Sequence, residues 1–264
     1  MLPALYATCF GRFEVRRSDP SSQPINLCHN LKGQAILRYL IAQPKHRETA
    51  DMLMTVLWPE DAPEAALHKL RIAVSALRCS LNRNFASEPG GGYILCKDQV
   101  YQLNPSVALQ SDVDEFLALY QAGQQASSSA AAVVLYEEAC RLYTGPFLAE
   151  DLYTDWSAMQ REELSQAYVA MCGKLAEFNL ENGRYKEAAT WATAILKVDQ
   201  CDEEAYCQLI RTYAAEGRRS DALRQYQRCQ RVLAEELGVQ PTPETQKLLH
   251  MLLNSSDFPV VKRK

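Results

Sequence analysis

The sequence predicts a mainly α chain in two parts, a small α+β domain followed by an all-α helical-repeat domain. Three observations carry this. Short β-type runs are confined to about the first 105 residues, and apolar residues at helical spacing dominate after residue 111. The second part also repeats itself at an offset of 34 residues, the tetratricopeptide (TPR) period.

In the first part, Ala4 to Val15 and Pro24 to Leu27 have the composition of short strands, with 18–23 as a loop between them. KGQAILRYLIAQ then places Ile36, Leu37, Leu40 and Ile41 on one helical face, and Pro44 breaks that helix. Thr49 is placed as the N-cap of a second short helix with Leu53, Val56 and Leu57 inward, ending at Trp58-Pro59. A third helix is expected over 61–82. Asp61 and Glu64 have capping-box spacing, and Pro63 sits in the first turn, where its missing N–H is harmless.

Along this third helix Leu67, Leu70, Val74, Leu77 and Leu81 form the inward stripe. Ala65, His68, Lys69, Ile72, Ser75, Ala76 and Cys79 are left facing out, flanked by Arg71 and Arg78. Gly90-Gly91-Gly92 then opens YILC-KDQ-VYQLN, two β-type runs around a polar tip, which reads as a hairpin. Strands, three helices and a terminal hairpin are the order of a winged helix-turn-helix domain, assigned to residues 1–105.

Residues 104–111 read as a short connection. Helices follow over 112–122, 129–143, 155–181, 184–197, 202–216, 219–236 and 242–253, within a domain of residues 106–254. GRYKEAA from Gly183 and GRRSDAL from Gly217 are the repeat; Ala188 pairs with Ala222, Leu175 with Leu209 and Ala176 with Ile210. Glycine lets the turn between paired helices close, and alanine lets the next helix approach. Trp156, Tyr168, Phe178, Tyr185, Trp191, Tyr206, Tyr213 and Tyr226 recur at helical spacing and are read as packing material. The patternless stretch 255–264 is expected to be loose.

Composition excludes several classes. The chain has 264 residues, 47% hydrophobic and 23% charged, so disordered, collagen-like and disulfide-scaffold readings fail. Its longest apolar stretch, 130–136, is far short of the roughly 20 residues that span a membrane. MLPALYATCFGRFEV lacks the pattern of a signal peptide, so a cytoplasmic protein that meets no membrane is expected. The nine cysteines contain no CxxC, and Cys28 and His29 are too close in sequence to share a zinc comfortably. Reduced, mostly buried thiols and no metal or other cofactor are expected. GxSxG, HExxH and GxxxxGK[ST] are all missing, and the carboxylate pairs Asp112/Asp114 and Glu137/Glu138 do not converge on a helix, so an enzyme is not expected.

The net charge of −4 is uneven. Residues 1–105 carry 12 Lys/Arg against 9 Asp/Glu, and 106–264 carry 16 against 23. A mildly basic first part on an acidic second part hints at nucleic acid for the first.

The order of motifs resembles the SARP family (Streptomyces antibiotic regulatory proteins), an OmpR-type winged helix joined to a bacterial transcriptional activator domain. The similar stretches are FGRFEV, LWPED, HKLRIAVSALRCSL, GGYILCKDQVYQLN, DVDEF, LYTGPFLAEDLYTDW and GRRSDALRQYQRCQRVLAEELGVQP with the TPE after it, spanning about residues 4–253. The resemblance implies a transcription activator that binds direct repeats near the −35 region of double-stranded promoter DNA. It also implies a helical domain that supports homodimer formation and contacts RNA polymerase, in a bacterial, nucleoid-associated protein. Many members carry further Arg or Lys where this sequence has Ala76 and Cys79, which predicts weaker DNA binding and a flatter salt dependence.

Two candidate sites follow. The first is a DNA-reading face of His68, Lys69, Arg71, Ile72, Ser75 and Arg78, with Lys97 of the hairpin as a phosphate or minor-groove contact. The alternative is a solvated helix face and an ordinary turn lysine. The second is an arginine-rich patch within 211–231 that includes Arg218, Arg219, Arg224, Arg228 and Arg231, a docking surface for an acidic polymerase segment or a small anionic effector. Its alternative is a face balanced by neighbouring acids. Under a second functional reading the chain is a helical-repeat adaptor or anionic-ligand sensor whose winged helix is structural.

Overall fold

The computed structural model describes residues 2–18, 22–27, 30–82, 92–152 and 155–254. Two units divide the chain, Met1–Glu115 with Leu142–Glu162, and Phe116–Arg141 with Glu163–Lys264. The structure is mainly helical, with small sheets near the N-terminus. The expected loose stretch 255–264, Gly90-Gly91 and the Cys28-His29 pair lie outside the described residues.

In the first unit, ALYATCFGRFEV splits into two strands, β1 (Leu5–Thr8) and β2 (Glu14–Arg17), paired antiparallel. The turn between them passes through Gly11 at φ +69, a conformation that glycine adopts without a Cβ clash. Pro24 to Leu27 is no strand, although Ile25 N–H donates to the Val15 carbonyl of β2 at 2.7 Å. The expected connection before residue 112 contains a strand, β6 (Leu109–Ser111), which lies parallel to β1.

Helices α1 (Leu31–Ala42), α2 (Ala50–Leu57) and α3 (Pro63–Leu81) follow the sequence pattern closely. Thr49 caps α2, accepting from the Met52 N–H. The capping box does not form: α3 starts after Ala62, which makes no side-chain cap, and the Asp61 carboxylate pairs with Lys69 instead. The inward stripe of α3 also shifts, for Leu67 is half-exposed while Ala66, Ala73 and Ser80 join Leu70, Val74, Leu77 and Leu81 in the core.

A second sheet, in the order β3-β5-β4, holds the hairpin β4 (Ile94–Lys97) and β5 (Val100–Leu103) and a strand not legible in the sequence, β3 (Arg47–Thr49). Asp98 and Gln99 close the hairpin with φ +50 and +59. Two successive left-handed residues are what a two-residue turn between right-twisted strands requires.

The second unit takes in helix α5 (Ser129–Leu142), most of α4 (Asp112–Gln124) and of α6 (Ala158–Glu181), and then α7 (Tyr185–Val198), α8 (Glu203–Ala215), α9 (Arg219–Glu236) and α10 (Pro243–Leu253). The 34-residue repeat is visible in its backbone bonds. Arg184 N–H donates to the Asn179 carbonyl at 2.8 Å, and 34 residues on Arg218 N–H donates to Tyr213 at 2.8 Å. Gly183 and Gly217 both have positive φ, +71 and +83, and Ala188 and Ala222 are both fully buried where the next helix approaches. These are TPR-like helix pairs.

Of the eight described cysteines, Cys9, Cys140, Cys172, Cys207 and Cys229 are buried, Cys201 is intermediate, and Cys79 and Cys96 are exposed. None is in a disulfide.

Candidate nucleic-acid interface

Helix α3 is held in place by polar clips from three directions. Asn30 caps α1 by accepting the Gly33 N–H at 2.9 Å, and its amide donates to the Ala73 carbonyl of α3 at 2.8 Å. A Cβ on Gly33 would collide with the Asn30 side chain and stand 3.2 Å from that same carbonyl, so glycine permits the close approach of α1 to α3. At the other end of α3, Arg17 Nη2 donates to the Leu81 carbonyl at 3.3 Å. The hairpin is tied on by Arg78, whose Nε donates to the Ile94 carbonyl at 3.0 Å.

Held this way, α3 turns its predicted outward residues to solvent. His68, Lys69, Arg71, Ile72, Ser75, Ala76 and Cys79 are all exposed, and Arg78 is half-buried by its bond to the hairpin. At 100° per residue, His68, Ile72, Ser75 and Cys79 form the central stripe of that face, Arg71 and Arg78 lie along one edge, and Lys69 lies along the other. Ile72, an apolar side chain in that stripe, keeps 56% of its surface exposed. Lys69 meets Asp61 at 2.6 Å, so its charge is partly matched within the chain.

The hairpin divides its side chains between two faces. Cys96 and Tyr101 are cross-strand partners on the face that carries the buried Ile94 and Leu103. Burial pushes the Tyr101 phenol above its ordinary value, while the charges of Arg78 and Arg71 pull it down. Both arginines thus lie within electrostatic reach of the hairpin. Lys97 ends β4, exposed, on the opposite face. The pairing places Arg47 of β3 on the Lys97 face, since Arg47 opposes Gln102 and Gln102 opposes Leu95. The structure therefore brings Arg71 and Arg78 together and leaves Lys97 with a different, exposed cation. The sequence reading passed over Arg47; its signal was the basic run Lys45-His46-Arg47 just past Pro44.

The arginine-rich patch belongs to the second unit, and much of it is engaged locally. Arg218 bonds Asp221 at 2.8 Å and Glu216 at 3.2 Å, and its guanidinium lies 4.7 Å from the Tyr213 ring centroid. Arg224 also pairs with Asp221, at 2.7 Å. Arg211 pairs with Glu204 at 2.8 Å, and Arg219 donates to the Leu253 carbonyl at the end of α10 at 2.9 Å. Arg228 and Arg231 are exposed on α9, with no carboxylate among the described residues within 4 Å.

Among the described residues no group of three His, Cys, Asp or Glu side chains could hold a metal ion, and no helix is long and apolar enough to cross a membrane.

The family model described as Bacterial transcriptional activator domain matches residues 111–253, more than half of the chain. The chain belongs to that family, and with it to the SARP regulators. Regulatory protein AfsR of Streptomyces griseus is 28% identical over 225 residues, which covers 85% of this SARP chain and 22% of AfsR. Transcriptional regulatory protein MoaR1 of Mycobacterium tuberculosis is 27% identical over 232 residues, covering 84% of this chain and 72% of MoaR1. This SARP protein thus spans about a fifth of AfsR and nearly three quarters of MoaR1. A solved structure of Mycobacterium tuberculosis EmbR, in complex with a low-affinity phosphopeptide, has the same fold, with a TM-score of 0.74 over 97% of this chain and 67% of EmbR at 24% identity. AfsR is named a regulatory protein and MoaR1 a transcriptional regulatory protein, and the family places this chain among transcription regulators.

Proposed function

We propose that this SARP protein is a sequence-specific DNA-binding activator. Residues 1–105 are a winged helix that lays α3 in the major groove of direct repeats near promoters, and residues 106–254 recruit RNA polymerase and support a homodimer on the DNA. The observation that carries the reading is the solvent-facing side of α3, where Arg71 and Arg78 edge a stripe of His68, Ile72 and Ser75. Arginine forks onto guanine O6 and N7, an exposed isoleucine suits a thymine methyl, and serine accepts or donates to either base or phosphate. Lys97 and Arg47, on the outer face of the hairpin sheet, supply phosphate contacts, and Lys69 adds a further one when it leaves Asp61. The protein acts in the bacterial cytoplasm, on nucleoid DNA.

The test is a fluorescence titration of the protein with genomic fragments, including the region upstream of its own gene, at several salt concentrations. Selective binding that weakens steeply with salt supports the reading. Arg71→Ala with Arg78→Ala should abolish that selectivity. Folded protein that selects no fragment even at low salt overturns it.

A second reading rests on Arg228 and Arg231, two exposed cations one turn apart without a carboxylate within 4 Å among the described residues. Here the helical domain is an adaptor or sensor that takes a small anionic effector or an acidic partner segment, and the winged helix is structural. Unaltered DNA affinity of the Arg71/Arg78 double variant would favour it.

A further inference from the structure

Among the described residues, the one sulfur–sulfur contact within 4 Å joins Cys140 on α5 to Cys172 on α6, Sγ to Sγ at 3.9 Å. Both thiols are in the core of the second unit, 6% and 0% exposed. No function described above uses them. A second contact bridges the same two helices nearby: Tyr136, one turn before Cys140, and Lys174, two residues after Cys172, meet through Nζ and the phenol oxygen at 3.4 Å. Tyr136 and Lys174 also line a cavity of about 410 Å³ together with Val133 and Phe178. The helices are therefore already held together where the two sulfurs face one another.

The geometry points to a reversible disulfide site, Cys140 with Cys172, closed by a peroxide and clamping α5 to α6 beside that cavity. A disulfide has its sulfurs about 2.05 Å apart, so the pair, now at 3.9 Å, must close by roughly 2 Å. The chemistry balances in two steps. One thiol sulfur attacks the peroxide O–O bond, becoming a sulfenic acid and releasing one water. The second sulfur then attacks the sulfenic sulfur, forms the S–S bond and releases a second water. Two electrons pass from the sulfurs to the peroxide, and both thiol protons leave in the waters.

The surroundings set the rate. The hydrogen bond with Cys172, together with burial, pushes the Cys140 thiol far above its ordinary pKa, so thiolate is scarce and attack is slow. Of the two residues, Cys140 is the less completely buried, 6% against 0% exposed, and is the one expected to meet the oxidant first. The site answers to sustained oxidant rather than to a brief pulse. A bond between residues 140 and 172 closes a loop of about 30 residues and restricts the unfolded chain, so the oxidised protein melts at a higher temperature.

The test treats the full reduced chain with hydrogen peroxide, denatures it in alkylating reagent and digests it with trypsin without reduction. Cleavage gives the peptides 98–141 and 162–174, each with a single cysteine. The expected product is the two joined, lighter by two hydrogens than their sum, with a raised melting temperature that dithiothreitol reverses. Cys172→Ala should remove both the joined peptide and the shift. Recovery of the peptides unjoined, either alkylated or oxidised singly to sulfinic acid, overturns the proposal, and this mapping on the unsubstituted chain needs no variant to fold.

Discussion

Arg38 of α1 and Asp151 form a buried, two-point ion pair, Nε to Oδ2 at 2.5 Å and Nη2 to Oδ1 at 3.1 Å. Their side chains are only 8% and 10% exposed. Asp151 sits in a short 3-10 turn, Ala149–Asp151, in the part of the first unit that returns after α5. Arg161 fastens that return, donating to the carbonyls of Phe147 and Asp151, each at 3.0 Å. Breaking a buried pair by removing one partner strands the other charge, at about 3–5 kcal/mol. Asp151→Ala should therefore lower the unfolding free energy of the first unit by an amount in that range, read as an earlier urea transition. Tryptophan emission reads it, since Trp156 packs on Tyr39 at 4.9 Å within the same unit. Arg38→Met with Asp151→Leu, which strands no charge, should recover most of the loss.

The Asn30 clip predicts a smaller effect with a functional consequence. Asn30→Ala removes an N-cap, worth about 1 kcal/mol, and leaves the Ala73 carbonyl of α3 without the amide that meets it. The expected loss is about 1–2 kcal/mol in urea unfolding. DNA affinity should fall alongside it, although residue 30 contributes nothing to the exposed face of α3. Unchanged affinity at lowered stability would show that α3 is positioned without the clip.

Helices were far more legible in the sequence than strands, for a physical reason. The helices of 112–253 fall within three residues of their expected bounds, because apolar spacing and the glycines at 183 and 217 are local signals. Strands β3 and β6 have three residues each and exist through partners about 50 and 100 positions away. Nothing in RET or LQS announces those partners. Arg38 was equally opaque, a cation inside an apolar helix whose partner lies 113 residues on. The exposed face of α3 followed from periodicity. Which face of the hairpin carries Lys97 depended on strand register, and the sequence does not encode that locally.

Gly183 and Gly217 offer a controlled comparison. A Cβ at either would meet nothing within 4 Å, so substitution by alanine costs only the left-handed backbone, about 1–2 kcal/mol. The two single variants should lose similar stability in urea, and the double variant should lose their sum because the sites are far apart in the repeat. Asparagine, which tolerates this conformation better, should cost less at both positions. A large difference between the two alanine variants would mean that the helix pairs, alike in their turn bonds, are not equivalent in stability.

Arg78 and Lys97 separate two kinds of DNA contact by their salt dependence. Lys97 stands on the outer face of the hairpin sheet, where the contact open to it is phosphate, so Lys97→Ala should weaken all sequences alike and reduce the salt slope by about 1. Arg78→Ala removes a cation from the edge of α3 and also frees the hairpin, at the Ile94 carbonyl, from α3. Its loss should be larger, and a base contact would add about 1–3 kcal/mol of lost discrimination at one position of the site. Equal, sequence-independent losses for both variants would reduce Arg78 to a phosphate contact.

Glu203 predicts a pH effect confined to the end of the helical unit. Its Oε1 accepts from both the N–H and the hydroxyl of Thr242, each at 2.7 Å, joining the start of α8 to the residue that precedes α10. Burial raises this carboxyl, but hydrogen bonds from Thr245 and Thr242 outweigh it and bring it below the 4.5 of a free glutamate. With the folded value below the unfolded one, the unfolded chain binds the extra proton between them. The stabilisation is fully present above about 4.5 and is lost as the pH falls through the folded value. Glu203→Gln should melt at a lower temperature than the parent at pH 7, and the gap should narrow as the pH is taken below 4.5. A gap that stays constant with pH would mean that Glu203 holds α10 by shape and not by charge.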